Sequence, residues 1–456
     1  MSLRAAAFAA AIALAACTPP PPSGTPSRAV EGPLPQVSDV AFPPQVQRRG
    51  VARSNQTLAR DFLDLTFALE RGERLRGLLR HEGPVRVYIR SQALRPYAQD
   101  VENLLARFRA EAGIDIASTD NPAAAQIHID GVPIRELQRV DPGAACFILP
   151  GQTSWVEFRS RSNRGRLRWS QQSTLGTIGI FIPSDTFPQD IRDCLHEELA
   201  QALGPANDLY RLPDSVFNDD NFHSIVTPFD MLMLRALYDP SLRSGMPREV
   251  AAGRIGEILA RINPGGEDIG TLPRAPSSSE WKTQIEQALT RRNSGPRRLA
   301  AANRAVGIAQ RMQPSDHRLG VALITRGRLN RERDPVGAAQ DFITAYAHFR
   351  RTLGPQDVRT AQAALHTAIV ALETRDAAGA LALANEALPV AEQAENAVLL
   401  SSLLLVRARA LETLGERRAA QAAQVDHLRW ARYAFGDRNG DRRRLQARLE
   451  AGLLAQ

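Results

Sequence analysis

Residues 194–208, CLHEELAQALGPAND, carry five oxygen-bearing side chains at a spacing that could support chemistry. The five are Glu197, Glu198, Gln201, Asn207 and Asp208. On a helix, Glu197 and Gln201 share a face, and Glu198 lies next to that face. Gly204 then frees the chain to turn, so Asn207 can fold back over that face. We therefore expect the side chains of four residues to converge at one inward-facing position, namely Glu197, Glu198, Gln201 and Asn207.

Two kinds of chemistry fit these side chains. In a metal-dependent hydrolase, Glu198 would act as general base toward a metal-bound water. The ligands would then be Glu197 and Gln201 with Asn207 or Asp208. Amide and carboxylate oxygens suit Ca²⁺ or Mg²⁺ better than zinc. The alternative is a buried hydrogen-bonded network that braces the helix to its loop. We favour the network, with no cofactor, and keep one divalent metal ion as the alternative.

The same stretch resembles the metzincin signature His-Glu-x-x-His-x-x-Gly-x-x-His-Asp. This sequence has Glu197-Glu198-x-x-Gln201-x-x-Gly204-x-x-Asn207-Asp208. By this resemblance Glu198 matches the general base, while all three histidine ligand positions are replaced. The later stretch SIVTPFDMLMLRALYDP resembles the metzincin turn and its following helix, with Val226 in the place of the methionine. The resemblance implies a zincin-like fold with a degenerate metal site.

A closer resemblance covers about residues 85 to 250. The stretches EELAQALGPANDLYRLPDSVFNDDNF and TPFDMLMLRALYDPSLRSGM are similar to a bacterial lipoprotein family classed as domain of unknown function family 2927. That family shares the Glu-Glu-x-x-Gln-x-x-Gly-x-x-Asn-Asp core. The resemblance implies the form of the motif, but it supplies no established activity.

Strand and helix patterns alternate around the motif. VRVYIR, AQIHIDGV, ACFIL and TIGIFIP are typical of strands, whereas TLARDFLDLTFALE, AQDVENLLARFRAEAG and PQDIRDCLHEELAQALG have helical spacing. This order predicts an α+β layer. SWVEF and WSQQSTLGTIGIFIP are also predicted strands, and they place the basic run RSRSNRGRLR at a solvated hairpin tip, with an anion-binding patch as the alternative.

The amino-terminal residues indicate export. MSLRAAAFAAAIALAAC has an early arginine, an apolar run and small residues before Cys17, as in a secretory signal. Its last four residues resemble a bacterial lipobox, which implies cleavage before Cys17 and lipid attachment to it. The next residue is Thr18 rather than Asp, which by resemblance to lipoprotein sorting favours the outer membrane. We therefore expect a lipid-anchored protein on the periplasmic face of the cell envelope.

Two further cysteines, Cys146 and Cys194, remain in the exported chain. An even pair in an oxidising compartment predicts one disulfide, with two free buried thiols as the alternative. Such a bridge would fix the motif helix to the preceding strand.

The last third of the chain repeats. RDPVGA recurs as RDAAGA 42 residues later, and each is followed by an Ala-rich helical run. Helix pairs at a fixed period of about 40 residues are typical of an α-solenoid. The pattern resembles tetratricopeptide-type repeats, with an irregular helical bundle as the alternative.

Together these patterns divide the chain into five segments. They are a signal peptide at 1–16, a Pro-rich tether at 17–55, a zincin-like α+β domain at 56–262, a linker at 263–280 and helical repeats at 281–456. The net charge of +8 is spread along the chain and lies almost entirely on arginine, so we expect no nucleic-acid partner. We expect a membrane-anchored, non-catalytic metallopeptidase-like domain whose repeats bind a protein partner. The alternative is a hydrolase of peptide or peptidoglycan bonds.

Overall fold

The computed structural model describes residues 40–42, 51–69, 72–141, 144–160, 169–218, 222–270, 278–290 and 292–436. The predicted signal peptide, Cys17, most of the tether and the basic run between residues 160 and 169 lie outside this part of the chain. Among the described residues, no helix combines the length and apolar character needed to cross a membrane.

The first region is an α/β domain built on one five-stranded sheet. Its strands are β1 Val85–Ile89, β2 Ile116–Ser118, β3 Ile127–Val132, β4 Phe147–Pro150 and β5 Ile178–Pro183. Its helices are α1 Asn55–Thr66, α2 Ala98–Arg107, α3 Ile134–Val140, α4 Trp155–Ser160, α5 Pro188–Gln201, α6 Pro228–Leu237 and α7 Arg248–Ile262.

The strand order is β2-β1-β3-β5-β4, and only the edge strand β4 runs antiparallel to its neighbour. All six residues of β5 are buried, as expected for a strand that pairs on both sides and is covered on both faces. The four predicted strand stretches VRVYIR, AQIHIDGV, ACFIL and TIGIFIP therefore form β1, β3, β4 and β5. The sheet is mostly parallel rather than a segregated α+β layer, because helices such as α2 connect its parallel strands.

The prediction of a strand at SWVEF is wrong, because its last four residues begin α4 and its first residue, Ser154, precedes that helix. The backbone N–H of Glu157 donates to Ser154 Oγ at 3.1 Å, so Ser154 caps this helix. The Glu157 carboxylate in turn accepts from the Thr153 backbone N–H and hydroxyl. Val156 is exposed, whereas Trp155 is buried. Over two residues, this change from buried to exposed is the same as in a β-strand.

The second region contains eight helices among the residues that the structure describes. They are α8 Ser279–Leu289, α9 Gly295–Arg311, α10 His317–Asn330, α11 Pro335–Thr352, α12 Val358–Glu373, α13 Ala377–Gln393, α14 Ala397–Thr413 and α15 Arg417–Phe435. Alternate helices begin at residues 295, 335, 377 and 417, at intervals of 40, 42 and 40 residues.

The repeated RDPVGA and RDAAGA stretches are helix caps. Asp334 accepts from the Gly337 backbone N–H at 2.9 Å, and Asp376 accepts from the Gly379 N–H at 2.8 Å. A Cβ at either glycine would lie within 2.2 Å of the capping carboxylate. In the Asp-x-x-Gly spacing, the aspartate is therefore the N-cap residue. The glycine three residues later has no Cβ, which leaves room for the aspartate carboxylate.

Candidate functional site

The motif helix α5 lies between the sheet and the helical region. It follows β5 directly, starts with Pro188 at its first position and buries Leu195 and Leu199 in the core of the α/β domain. Cys194 on α5 forms a disulfide with Cys146, one residue before β4. The helix carrying the motif is thus covalently fixed to the antiparallel edge of the sheet.

Gly204 ends the motif segment as its sequence predicts. Its φ is +139°, and a Cβ there would lie 2.5 Å from the Leu79 carbonyl oxygen. No other residue fits this close approach, so the glycine fixes where the chain leaves α5.

The structure brings Gln201 and Asp208 into direct contact. The Gln201 side-chain amide Nε2 donates to both carboxylate oxygens of Asp208, at 3.1 and 3.0 Å. Both side chains are buried, as is Glu198, whose residue is 3% exposed. Glu197 lies on the neighbouring part of the helix and is half-buried. The bond between Gln201 and Asp208 closes the turn around Gly204, because it joins the last residue of α5 to the loop.

Asn207 reaches a different element. Its side-chain Nδ2 donates to the backbone carbonyl of Asp64 on α1 at 2.8 Å. Arg211, four residues further, bonds the Asp61 carboxylate and also the Asp64 carboxylate, the latter at 2.7 Å. Arg53 joins this cluster by bonding Asp61 at 3.1 Å. The loop after the motif is therefore attached to α1 by an amide and by ion pairs.

The opposite side of the same loop is attached to the helical region. His317 Nε2 on α10 lies 2.7 Å from the Tyr210 carbonyl oxygen. Arg359 on α12 donates to the Pro213 carbonyl oxygen, and its side chain is fully buried. The Tyr210 ring meets Trp281 of α8 edge-on at 5.5 Å. The loop that bears Asn207 and Asp208 is consequently held from both sides.

His196 points away from these oxygen-bearing side chains toward the turn before α6. The Val226 backbone N–H donates to His196 Nδ1 at 3.3 Å. Burial, with the charges of Arg107 and Arg192, lowers the pKa of His196 to about 3, so the ring is neutral at physiological pH. Burial also raises the pKa of Asp193 to about 8, despite the hydrogen bond from Gln189. His196 and Asp193 are therefore both uncharged in their main form at neutral pH, which lowers the cost of packing them at the contact between α5 and its neighbours.

These residues do not fit a zinc ion. Zinc requires imidazole, thiolate or carboxylate ligands that share one centre. Among the described ranges, no three His, Cys, Asp or Glu side chains are arranged to hold a metal ion. The amide nitrogens of Gln201 and Asn207 are bonded to Asp208 and to α1, in different directions. These hydrogen bonds pair the buried amide of Gln201 with Asp208 and the buried amide of Asn207 with the Asp64 carbonyl.

The sequence analysis missed the charged residues that surround the motif, above all Asp61 and Arg211. No local signal identifies them, because they are 150 positions apart in the chain. Asp230 is different: it forms a capping box with Thr227, and the Thr-x-x-Asp spacing in TPFD is a signal for it. Burial raises the pKa of Asp230 to about 6, although Ser215 and Thr227 donate to its carboxylate.

The α/β domain belongs to a family described as a protein of unknown function (DUF2927), whose model matches residues 55–256. This match confirms the family predicted from the motif and covers the sheet, α5 and the loop that follows it. No curated protein matches the chain.

Proposed function

We propose that this family member is a lipid-anchored periplasmic protein with a non-catalytic, metallopeptidase-like domain and a protein-binding helical region. The hydrogen bonds of Gln201 and Asn207 carry the proposal that the domain is non-catalytic. Each stands at a ligand-equivalent position, yet one amide closes the turn onto Asp208 and the other attaches the loop to α1. Side chains that brace three elements serve architecture, and their removal leaves buried polar groups unsatisfied.

Two features support descent from a zincin-like fold. The signature-bearing helix α5 follows a buried strand, and the chain turns away at Gly204, three residues after the helix ends, in the order that the metzincin resemblance implies. Val226, at the position of the metzincin methionine, contacts this helix by donating its backbone N–H to His196. We infer that the zinc ligands were replaced while the packing around them was kept.

Glu198→Gln tests the non-catalytic proposal, since it keeps the shape of the side chain and removes the only candidate general base. We expect protein purified without chelator to contain no stoichiometric metal by elemental analysis. We also expect the wild type and the variant to give the same background rate on peptide and peptidoglycan substrates. The variant should differ only in melting temperature, because Glu198 is buried.

Glu249→Gln is the control, being an exposed carboxylate on α7 that belongs to neither the proposed ligands nor the candidate general base. A bound metal ion, together with a wild-type activity that only Glu198→Gln lowers by about 10²- to 10⁴-fold, would reject the proposal. The protein would then be a metal-dependent hydrolase with Glu198 as general base.

Cys17→Ala tests the lipid anchor. Because each buried methylene contributes about 0.8 kcal/mol, several acyl chains would hold the wild type in the membrane fraction. We expect the variant to move to the supernatant after fractionation and ultracentrifugation. Thr18→Asp is a useful control, because by resemblance to lipoprotein sorting it should stay in the membrane fraction but shift to the inner membrane. If Cys17→Ala still sediments with membranes, the anchor is wrong.

The regular spacing of helices in the second region supports the proposal that this region consists of protein-binding repeats. Its alternate helices start at intervals of 40, 42 and 40 residues, and two of them share the Asp-x-x-Gly cap. We infer tetratricopeptide-like repeats from this regularity. Such repeats present extended surfaces, because each helix pair packs mainly against its neighbours.

One face of α11 is the candidate partner surface. Val336 is 81% exposed and Ile343, two turns further along the same helix, is 44% exposed. A cavity of about 360 Å³ lies along the same helix, and its lining is Pro335, Ala338, Ala339 and Phe342 with Val370 and the charged residues Arg331, Glu332 and Glu373. Exposed apolar side chains that share one face of a helix are typical of binding surfaces.

We expect the wild type to form cross-linked complexes with a protein partner in intact cells, and we expect the replacement of both Val336 and Ile343 by glutamate to abolish them. Val250→Glu on α7 is the control, since this residue is 43% exposed and lies in the α/β domain. Circular dichroism should be unchanged in both variants. Unaltered cross-linking of the folded double variant would exclude this face.

A further inference from the structure

Two residues of the Pro-rich tether, on either side of the exposed Ala41, pack onto the helical region. Val40 is 9% exposed and Phe42 is 8% exposed, and both belong to a hydrophobic cluster formed with α12, α13, α14 and α15. The Phe42 ring stacks on Trp430 of α15 with centroids 4.4 Å apart. It also meets the Tyr433 ring edge-on at 5.6 Å. The tether thus inserts an aromatic side chain into a socket on α15.

The socket is held in place by residues that do not belong to the tether. Trp430 and Tyr433 contact each other edge-on with centroids 5.6 Å apart. The guanidinium of Arg192, on the motif helix α5, lies 3.7 Å from the centre of the Tyr433 ring. Arg192 also donates to the Tyr433 carbonyl oxygen at 3.3 Å. Because α5 fixes one wall, the socket is preorganised for an aromatic ligand.

We propose that the Trp430–Tyr433 socket is a peptide-recognition site that this chain occupies in cis with residues 40–42. The pattern it reads is a β-branched residue, any residue and then phenylalanine, followed in this sequence by Pro43 and Pro44. Phenylalanine supplies a large apolar surface with few rotatable bonds. A Pro-rich flank is already extended in solution, so it loses little conformational entropy on binding.

Because residues 40–42 of the same chain occupy the socket, they lower the apparent affinity of the socket for a second, free peptide. A tethered segment has an effective concentration on the order of millimolar at its own site. A free peptide of the same sequence must therefore compete with that concentration in the intact protein. Removing the tether's phenylalanine leaves the socket open, and the peptide should then bind about tenfold more tightly.

The test uses the full chain and a fluorescent peptide with the sequence of residues 38–45, SDVAFPPQ. Fluorescence anisotropy should show binding to the Phe42→Ala protein that is about tenfold tighter than binding to the wild type. A peptide with alanine in place of phenylalanine should not bind to either protein. Adding Trp430→Ala to the Phe42→Ala protein should abolish binding, with circular dichroism to confirm that the helices remain.

Val40→Ser gives a second and milder variant that leaves the Phe42 ring in place. It should weaken the docked segment and produce peptide binding between that of the wild type and of Phe42→Ala. Equal binding to the wild type and to both tether variants would overturn the proposal, as would an absence of binding to the folded Phe42→Ala protein.

Discussion

Replacing Cys194 by serine should lower the free energy of unfolding by about 4 kcal/mol, because the disulfide with Cys146 closes a loop of 48 residues. In the chain-entropy argument, the bridge restricts the unfolded chain and so raises its free energy. The folded state is also affected, since the bridge joins the motif helix α5 to the edge of the sheet at β4. Urea unfolding, followed by far-ultraviolet circular dichroism, measures the change.

The double variant Cys146→Ser, Cys194→Ser is the control for the disulfide. It should be as unstable as the single variant, because either substitution opens the same loop. Dithiothreitol should destabilise the wild type to the same level and leave the double variant unchanged. Two alkylatable thiols in unreduced wild-type protein would contradict the bridge.

Local chemistry predicts much of the α/β domain. The run TIGIFIP identifies β5 because a strand buried on both faces needs a continuous apolar sequence. Gly204 marks the end of the motif because only glycine tolerates its backbone conformation and its approach to Leu79. The 42-residue recurrence of RDPVGA as RDAAGA identifies the starts of α11 and α13, because each contains a helix cap.

The sequence analysis failed in two different ways. At SWVEF the signal was present, since Ser154 followed by Glu157 has the spacing of a capping box, but the alternating apolar residues suggested a strand. At residues 40–42 no signal was present. A Pro-rich segment gives no indication that Phe42 will find Trp430, which lies 388 positions further along the chain.

The candidate site shows the same limit. The spacing of Glu197, Gln201 and Gly204 predicts a shared helix face and a turn, which are local features. The partner of Asn207 is the backbone carbonyl of Asp64, 143 residues earlier. Because every residue has a backbone carbonyl, the amino-acid sequence cannot identify this one as the partner. Long-range pairing therefore decides whether the motif residues meet a metal ion or one another.

Replacing Asp61 by asparagine should cost about 3–5 kcal/mol, the range typical of removing one partner from a buried ion pair. Asp61 is 1% exposed and lies between two arginines, Arg53 and Arg211, whose side chains are also about nine-tenths buried. The asparagine keeps the shape but not the charge, so both guanidinium groups lose their buried counterion and keep only part-exposed ones, Asp214 for Arg53 and Asp64 for Arg211. Chemical denaturation at neutral pH measures the loss.

Asp64→Asn is the matched control, because Asp64 bonds the same Arg211 from the same helix but is 39% exposed. Exposed ion pairs contribute at most about 1 kcal/mol, so this variant should remain close to the wild type. Its backbone carbonyl also remains available to Asn207. If Asp61→Asn is no more destabilising than Asp64→Asn, the buried pair does not hold the loop. If it is, the loop bearing Asn207 and Asp208 depends on the buried carboxylate of α1 for its position.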